Sequence, residues 1–387
     1  MKLALIGVGQ AGGKVIEAIT AYDREARGNV VHDVVAVNTA RADLLGLEYT
    51  PLARRVLIGG SRLKGHGTGA DNELGADVAS EDVDEVMGVV DDVAVHELDA
   101  FLVVAGLGGG TGSGAAPVIA RELRRRYSEP VYGLGILPGR DEGSIYSLNA
   151  ARSFMTLVEH VDNLIVFDNE AWREGGESLH AGYGRINEEI ARRLGVLFSA
   201  GEVSDDRPVA ESVVDASEII NTLGSGGVST VGYAATPVTR PERRLFSRKR
   251  ADPDVGDSTN RILSTVRKAA LGRLTLPCEL SSAERALLVV AGPPEFLDRK
   301  GIERARRWIE EITGSMEVRG GDSPVDSDYV AAVVLFSGVT DVPRIKELQG
   351  IAAETQRTMR ELEDEAPEGL RDLLWSGDGE GGVEPLF

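Results

Sequence analysis

The chain has 387 residues, 42% of them hydrophobic, with 62 acids against 42 bases (formal net charge −20) and one cysteine, Cys278. That length is more than one core organises, so about two domains and a tail are expected. The acid surplus disfavours general nucleic-acid binding, a lone thiol excludes an internal disulfide, and no apolar run approaches the ~20 residues of a membrane span.

Apolar strands alternate with amphipathic helices through the first half, which predicts a parallel sheet covered on both faces. Strands are expected at 2–8, 34–38, 55–59, 100–106, 130–137 and 163–168. Helices are expected at 12–22, 80–95, 112–127 and 143–159, with a longer one at 182–198. After Asp205–Pro208 the pattern becomes a smaller mixed α/β unit. Its strands are expected at 228–235, 286–291, 316–319 and 329–336, and its helices at 260–271, 299–312 and 342–362. Residues 363–387 are acidic and Gly-rich and read as a flexible tail. Residues 1–200 are thus expected to form a first α/β unit ending in a long helix, 201–225 a loop and following helix, and 226–362 the second domain. The apolar stretch after Met1–Lys2 is too short for a signal peptide, so a cytoplasmic location without membrane insertion is expected.

Two glycine loops carry the chemistry. Gly7-Val-Gly9-Gln10-Ala11-Gly12-Gly13-Lys14 lies between the first strand and first helix and matches GxGxxG, whose glycines let the backbone approach a pyrophosphate. Val8 and Val15 stand where a P-loop needs Gly and Ser/Thr. The ribose-holding acid of an NAD enzyme is missing after the second strand, which ends in Asn38-Thr39 with Arg41 beyond. An NADP-dependent oxidoreductase using the first loop is one alternative. The second loop, Gly108-Gly109-Gly110-Thr111-Gly112-Ser113-Gly114, follows the fourth strand and opens a helix. Five glycines in seven positions cost conformational entropy. Backbone N–H groups free of Cβ can form an anion nest there, with Thr111 and Ser113 as further donors. Two such loops suggest a polyphosphate gripped from both sides.

GGGTGSG in this position resembles the phosphate-binding signature of tubulin and FtsZ, and other segments follow in the same order. Gly9-Gln10-Ala11-Gly12 is similar to tubulin's first phosphate loop. Gly67-Thr68-Gly69-Ala70-Asp71 resembles the FtsZ loop that senses the γ-phosphate, with Asp71 in place of the usual Asn. Glu142 stands where FtsZ has its ribose-binding Glu, with Tyr146 where FtsZ has an Arg. Asn169 and the pair Tyr183 and Asn187 resemble tubulin's base-reading and stacking residues. The blend of FtsZ-like and tubulin-like segments resembles the CetZ family of halophilic archaea. Only seven of the bases are Lys, and an acidic, Lys-poor surface suits high salt.

The resemblance implies a Rossmann-like GTPase domain joined by a long central helix to a smaller α/β domain. It implies binding of GTP/GDP with Mg2+, head-to-tail filaments, and a role in cell shape. The nucleotide contacts it implies are Gly9, Gln10, Ala11, Gly12, Gly13, Lys14, Asn38, Gly69, Ala70, Asp71, Gly108, Gly109, Gly110, Thr111, Gly112, Ser113, Glu142, Asn169, Tyr183 and Asn187.

Phosphoryl transfer needs positioning and an oriented water more than covalent chemistry. Val213-Val214-Asp215-Ala216-Ser217-Glu218 resembles the loop with which this superfamily completes the site of a neighbouring subunit. Glu218 is expected to polarise the attacking water and Asp215 to assist; the pair also reads as a capping box. Asp71 is a candidate for the outer shell of Mg2+. The basic run from Arg240 to Arg250 is placed like tubulin's lateral-contact loop, which suggests sheets of filaments. Leu373-Leu374-Trp375 and Leu386-Phe387 read as possible partner anchors. A GTP-switched scaffold without significant hydrolysis is a further alternative.

Overall fold

Leu3–Val8 (β1), Ala100–Gly106 (β4), Val131–Leu137 (β5) and Asn163–Asp168 (β6) are apolar almost throughout and buried almost throughout. Such runs suit parallel strands covered on both faces. The structure is a computed structural model that describes residues 1–173, 179–200, 214–239 and 255–358. The other strands are β2 (Val31–Asn38), β3 (Arg55–Leu57), β7 (Val228–Pro237), β8 (Arg285–Gly292), β9 (Glu317–Pro324) and β10 (Tyr329–Ser337). Among the described residues these ten strands form one sheet in the order β3-β2-β1-β4-β5-β6-β7-β10-β8-β9.

Strands β3 to β6 pair in parallel, whereas β10 runs antiparallel to both β7 and β8. The two halves meet at a short parallel seam, Leu164↔Val228 and Ile165↔Ser229. Buried Asn163 fastens it, donating to the carbonyls of Leu223 and Gly226 and to Ser337 Oγ. The fold is therefore the expected Rossmann-like unit continued into a mixed α/β unit.

The helices are α1 (Gly9–Ala26), α2 (Arg41–Leu45), α3 (Gly60–Leu63), α4 (Asn72–Glu81), α5 (Val83–Val90), α6 (Gly110–Arg126), α7 (Ser144–His160), α8 (Asn169–Trp172), α9 (Leu179–Ser199), α10 (Ala216–Leu223), α11 (Val255–Leu271) and α12 (Arg299–Thr313). A further helix covers 343–358. Helices α1, α2, α9 and α10 bury their apolar stripes on one face of the sheet. Helices α4 to α7, α11 and α12 cover the other. The helix expected over 80–95 is two helices that begin earlier, at Asn72, and break at Asp82.

Helix α9, 21 residues long, spans roughly 30 Å at 1.5 Å per residue. Near its end Phe198 O accepts from the Met1 amino group, just before β1. Among the described residues no helix is long and apolar enough to cross a membrane. The basic run Arg240–Arg250, the segment around Asp205–Pro208 and the tail with Leu373, Trp375 and Phe387 lie outside the described residues.

Candidate functional site

The chain leaves β1 outward to β2 and β3, then returns to β4 on the other side of β1. The carboxyl ends of β1 and β4 therefore flank a switch point, where open α/β sheets bind ligands. A cavity of about 630 Å³ opens there. Both glycine loops line it, and they touch. Gly9 has φ +72°, and a Cβ built on it would lie 2.8 Å from Gly112 N. A Cβ on Gly12 would lie 2.2 Å from Val104 O, so α1 packs directly on the β4 backbone.

Helices α1 and α6 begin at these loops without a side-chain cap and without acids in their first turns. By contrast α4, α8, α10 and α12 are capped by Asp71, Asp168, Asp215 and Asp298. The first N–H groups of α1 and α6 thus have no intrahelical or capping acceptor and carry the positive end of the helix dipole. That end of the cavity is built for an anion.

Of the residues expected to touch nucleotide, Gly9, Gln10, Ala11, Lys14, Asn38, Gly69, Ala70, Gly108, Gly109, Gly110, Thr111, Gly112, Glu142, Asn169, Tyr183 and Asn187 line the cavity. Gly12, Gly13, Asp71 and Ser113 do not. Gly12 and Gly13 are buried. Ser113 is 2% exposed, and its Oγ bonds back to Gly109 O and Gly110 O. The Asp71 carboxylate accepts from Leu74 N at 2.9 Å as the cap of α4.

The other end of the cavity lies beyond β5 and β6. Asn169 is 7% exposed, and its Oδ1 is buried without a hydrogen-bond partner. Such an orphaned acceptor costs ~1–3 kcal/mol until a donor meets it. Tyr183 lines the same wall, its phenol pushed up to about 12 by burial first and then by the neighbouring Glu142 carboxylate. Glu142 also accepts from Gly139 N at 2.7 Å.

Helix 343–358 supports these segments from behind. Its Arg344, 5% exposed, donates from Nη2 to Pro138 O at 2.9 Å and lies 3.4 Å from Asp168. Burial pushes the Asp168 carboxyl up to about 6, against the lowering pull of Arg344. Glu347 ties the array to Arg140, whose backbone N–H donates to Glu170.

Sequence reasoning missed three residues. Asp43 lines the cavity and accepts from Gln10 Nε2 at 3.3 Å and Asn38 Nδ2 at 3.1 Å. Thr39 and Thr111 share a buried hydroxyl pair at 2.7 Å, joining the end of β2 to the second loop. Asn149, within α7, bonds two cavity loops. The position of Asp43, five residues past Asn38, was the one available signal.

Asp215 and Glu218 are elsewhere. Their helix, α10, ends at Leu223, whose carbonyl is held by Asn163 at the start of β6, whereas the cavity adjoins that strand's end. The Arg285 guanidinium, at the start of β8, bonds Asn221 O in the same helix. The pair therefore sits at the sheet edge opposite the cavity. Asp215 caps α10 through Glu218 N at 3.0 Å and accepts from Ser217 Oγ. The reciprocal half of a capping box is absent from the described hydrogen bonds, so the Glu218 carboxylate is not engaged there. The two acids are pushed apart. The Ser217 hydroxyl and Glu218 N–H lower the Asp215 pKa, while burial, then the Asp215 charge, raises that of Glu218.

The cavity and the two acids lie toward opposite ends of the parallel strands, on a fold of the tubulin/FtsZ class. The sequence model of the tubulin/FtsZ family GTPase domain matches residues 2–176, and that of the tubulin-like CetZ C-terminal domain matches 176–354. The chain belongs to the CetZ family of tubulin-like proteins. It is 66% identical to the tubulin-like protein CetZ3 of Haloferax volcanii, over all of both chains. It is similar to CetZ1 from Haloferax volcanii, solved as a GDP-bound monomer, with TM-score 0.83 and 63% identity, covering 92% of this chain and 100% of that one. CetZ2 from the same organism, solved as a GTPγS-bound protofilament, gives TM-score 0.83 and 47% identity, over 93% and 100%.

Proposed function

We propose that this protein binds GTP in the switch-point cavity, stacks head to tail, and hydrolyses GTP when Glu218 of the adjoining copy covers the phosphates. The observation that carries the reading is the contact of Gly9 with Gly112, which brings two uncapped helix N-termini to one anion site. The GDP and GTPγS described for CetZ1 and CetZ2 support the ligand, and the CetZ2 protofilament supports the stacking. A family of GTPases leaves no room for the oxidoreductase alternative.

Guanine is preferred because Asn169 Oδ1 has no donor of its own. The N1–H and exocyclic amine of guanine supply donors; adenine's N1 is an acceptor. Glu142 takes the ribose, Tyr183 stacks on the base and Asn187 reads its edge. The residues present also fit Mg2+. Asp43 offers a hard oxygen ligand at the phosphate end, held by Gln10 and Asn38, and Mg2+ keeps several waters and needs few protein ligands. When bound, the ion neutralises charge on the phosphate oxygens. Asp71, whose Oδ1 caps α4, is a further candidate for the outer shell of the ion.

Because the contact joins unlike faces it does not close, and repetition gives an open filament. The division into a nucleotide unit through residue 200, an acid-bearing segment 201–225 and a second unit 226–362 follows that use. Lateral association through Arg240–Arg250 rests on sequence alone. A cytoplasmic role in cell shape rests on the family resemblance. Cells lacking the protein should change shape abnormally while dividing normally, and a division defect would count against that role.

Light scattering with phosphate release tests the core reading. GTP should give scattering that decays as phosphate appears, GTPγS scattering that persists, and GDP little. Persistent scattering with GTP and no phosphate would favour the GTP-switched scaffold. No guanine-nucleotide response at any ionic strength would remove the reading.

A further inference from the structure

Asn149 is 1% exposed and does not line the cavity, yet it holds two segments that do. Its Nδ2 donates to Ala70 O at 2.7 Å and to Gly108 O at 3.1 Å. One buried amide thus ties the third loop, which contributes Gly67, Thr68, Gly69 and Ala70 to the cavity, to the start of the second.

The third loop needs such a tie. Gly69 and Ala70 have φ of +64° and +67°. The left-handed region suits Gly69 but strains Ala70, and a strained residue persists only where its surroundings fix it. The loop also rests closely on Gly110 of the second loop, through the Thr68 side chain and the Asp71 backbone. A Cβ on Gly110 would lie 2.0 Å from Thr68 Oγ1 and 2.7 Å from Asp71 O. The loop arrives from β3, whereas the wall holding Asn169 follows β6, on the other side of the parallel sheet. Gly69 and Ala70 line the cavity beside the second loop, and on the nucleotide reading above their backbone meets the outermost phosphate.

We infer that Asn149 is a positioning residue that holds the third loop ready for the terminal phosphate, so that it sets the preference for triphosphate over diphosphate without touching the nucleotide. The inference rests on the nucleotide reading above. Asn149→Asp keeps the side chain's size and removes both donated bonds. Titration with fluorescent GDP and GTPγS should show GDP affinity within about threefold of the unmodified chain and GTPγS affinity lower by about tenfold or more.

A double-mutant cycle guards against a purely structural effect. In Ala70→Gly the left-handed turn carries no strain, so adding Asn149→Ala should cost GTPγS affinity less than it does beside Ala70. Equal losses for GDP and GTPγS, unchanged affinities, or additive losses in the cycle would overturn the inference. If the unmodified chain bound neither nucleotide, the nucleotide reading itself would fall, and the inference with it.

Discussion

Replacing Glu218 with glutamine should leave GTP affinity and assembly intact while slowing phosphate release by at least about 100-fold, the lower end of what a positioned acid–base group contributes. The amide keeps the shape of the side chain and loses the charge that orients water. Filaments of Glu218→Gln should consequently persist after the unmodified protein has disassembled. Asp215→Asn should have a smaller effect, because that carboxylate is committed to Glu218 N and Ser217 Oγ.

The pH profile gives a second readout. Burial and the nearby Asp215 charge raise the Glu218 pKa, so this carboxylate takes up its proton at a higher pH than an ordinary glutamate. Turnover per assembled subunit should begin to fall on acidification above the usual 4.5, and Glu218→Gln should lack that acid limb. Phosphate release across a pH series checks both. A glutamine variant with unmodified turnover would leave Glu218 as a surface acid and no more.

Gly9→Ala should reduce nucleotide affinity roughly 100-fold, a difference of about 2.7 kcal/mol. Alanine pays for a left-handed φ of +72°, about 1–2 kcal/mol, and its Cβ meets Gly112 N at 2.8 Å. That neighbour is backbone at the start of a buried helix, so the two loops must separate. The fold should survive, since β1 and α1 keep their apolar contacts. Fluorescent-nucleotide titration beside a thermal melt distinguishes lost affinity from lost structure. Full affinity in Gly9→Ala would mean that the loops do not share an anion.

Strands β1, β4, β5 and β6 were legible because parallel strands buried on both faces are nearly unbroken apolar runs. Strand β9 shows the limit. Its expected span, 316–319, stops where Arg319-Gly320-Gly321-Asp322-Ser323-Pro324 begins, yet pairing with β8 continues to Pro324. As an edge strand paired on one side, β9 tolerates glycine and proline that a central strand would not.

Helix α4 starts eight residues before the helix expected from 80. A Cβ on its Gly75 would lie 2.4 Å from Gly110 O, and one on Gly114 would lie 2.2 Å from Asn72 O. These glycines permit close packing of α4 on α6 rather than ending a helix. At the cavity, contiguous motifs were readable, whereas tertiary contacts were not. Thr39 and Thr111 are 72 positions apart. Nothing in the local sequence of α7 marks Asn149 as a clamp. Asp215 and Glu218 were singled out through the likeness of their segment, and their place away from the cavity needed the sheet.

The split site can be tested by mixing two defective proteins. Gly9→Ala subunits lack nucleotide but carry Glu218; Glu218→Gln subunits bind GTP but lack the acid. Each should release phosphate slowly alone. Mixed at equal concentration they should recover turnover, because a Gly9→Ala copy can present its Glu218 to the loaded cavity of a Glu218→Gln copy. A mixture no more active than its parts, while both proteins remain folded and the second still binds GTP, would contradict a catalytic carboxylate supplied from the neighbouring molecule.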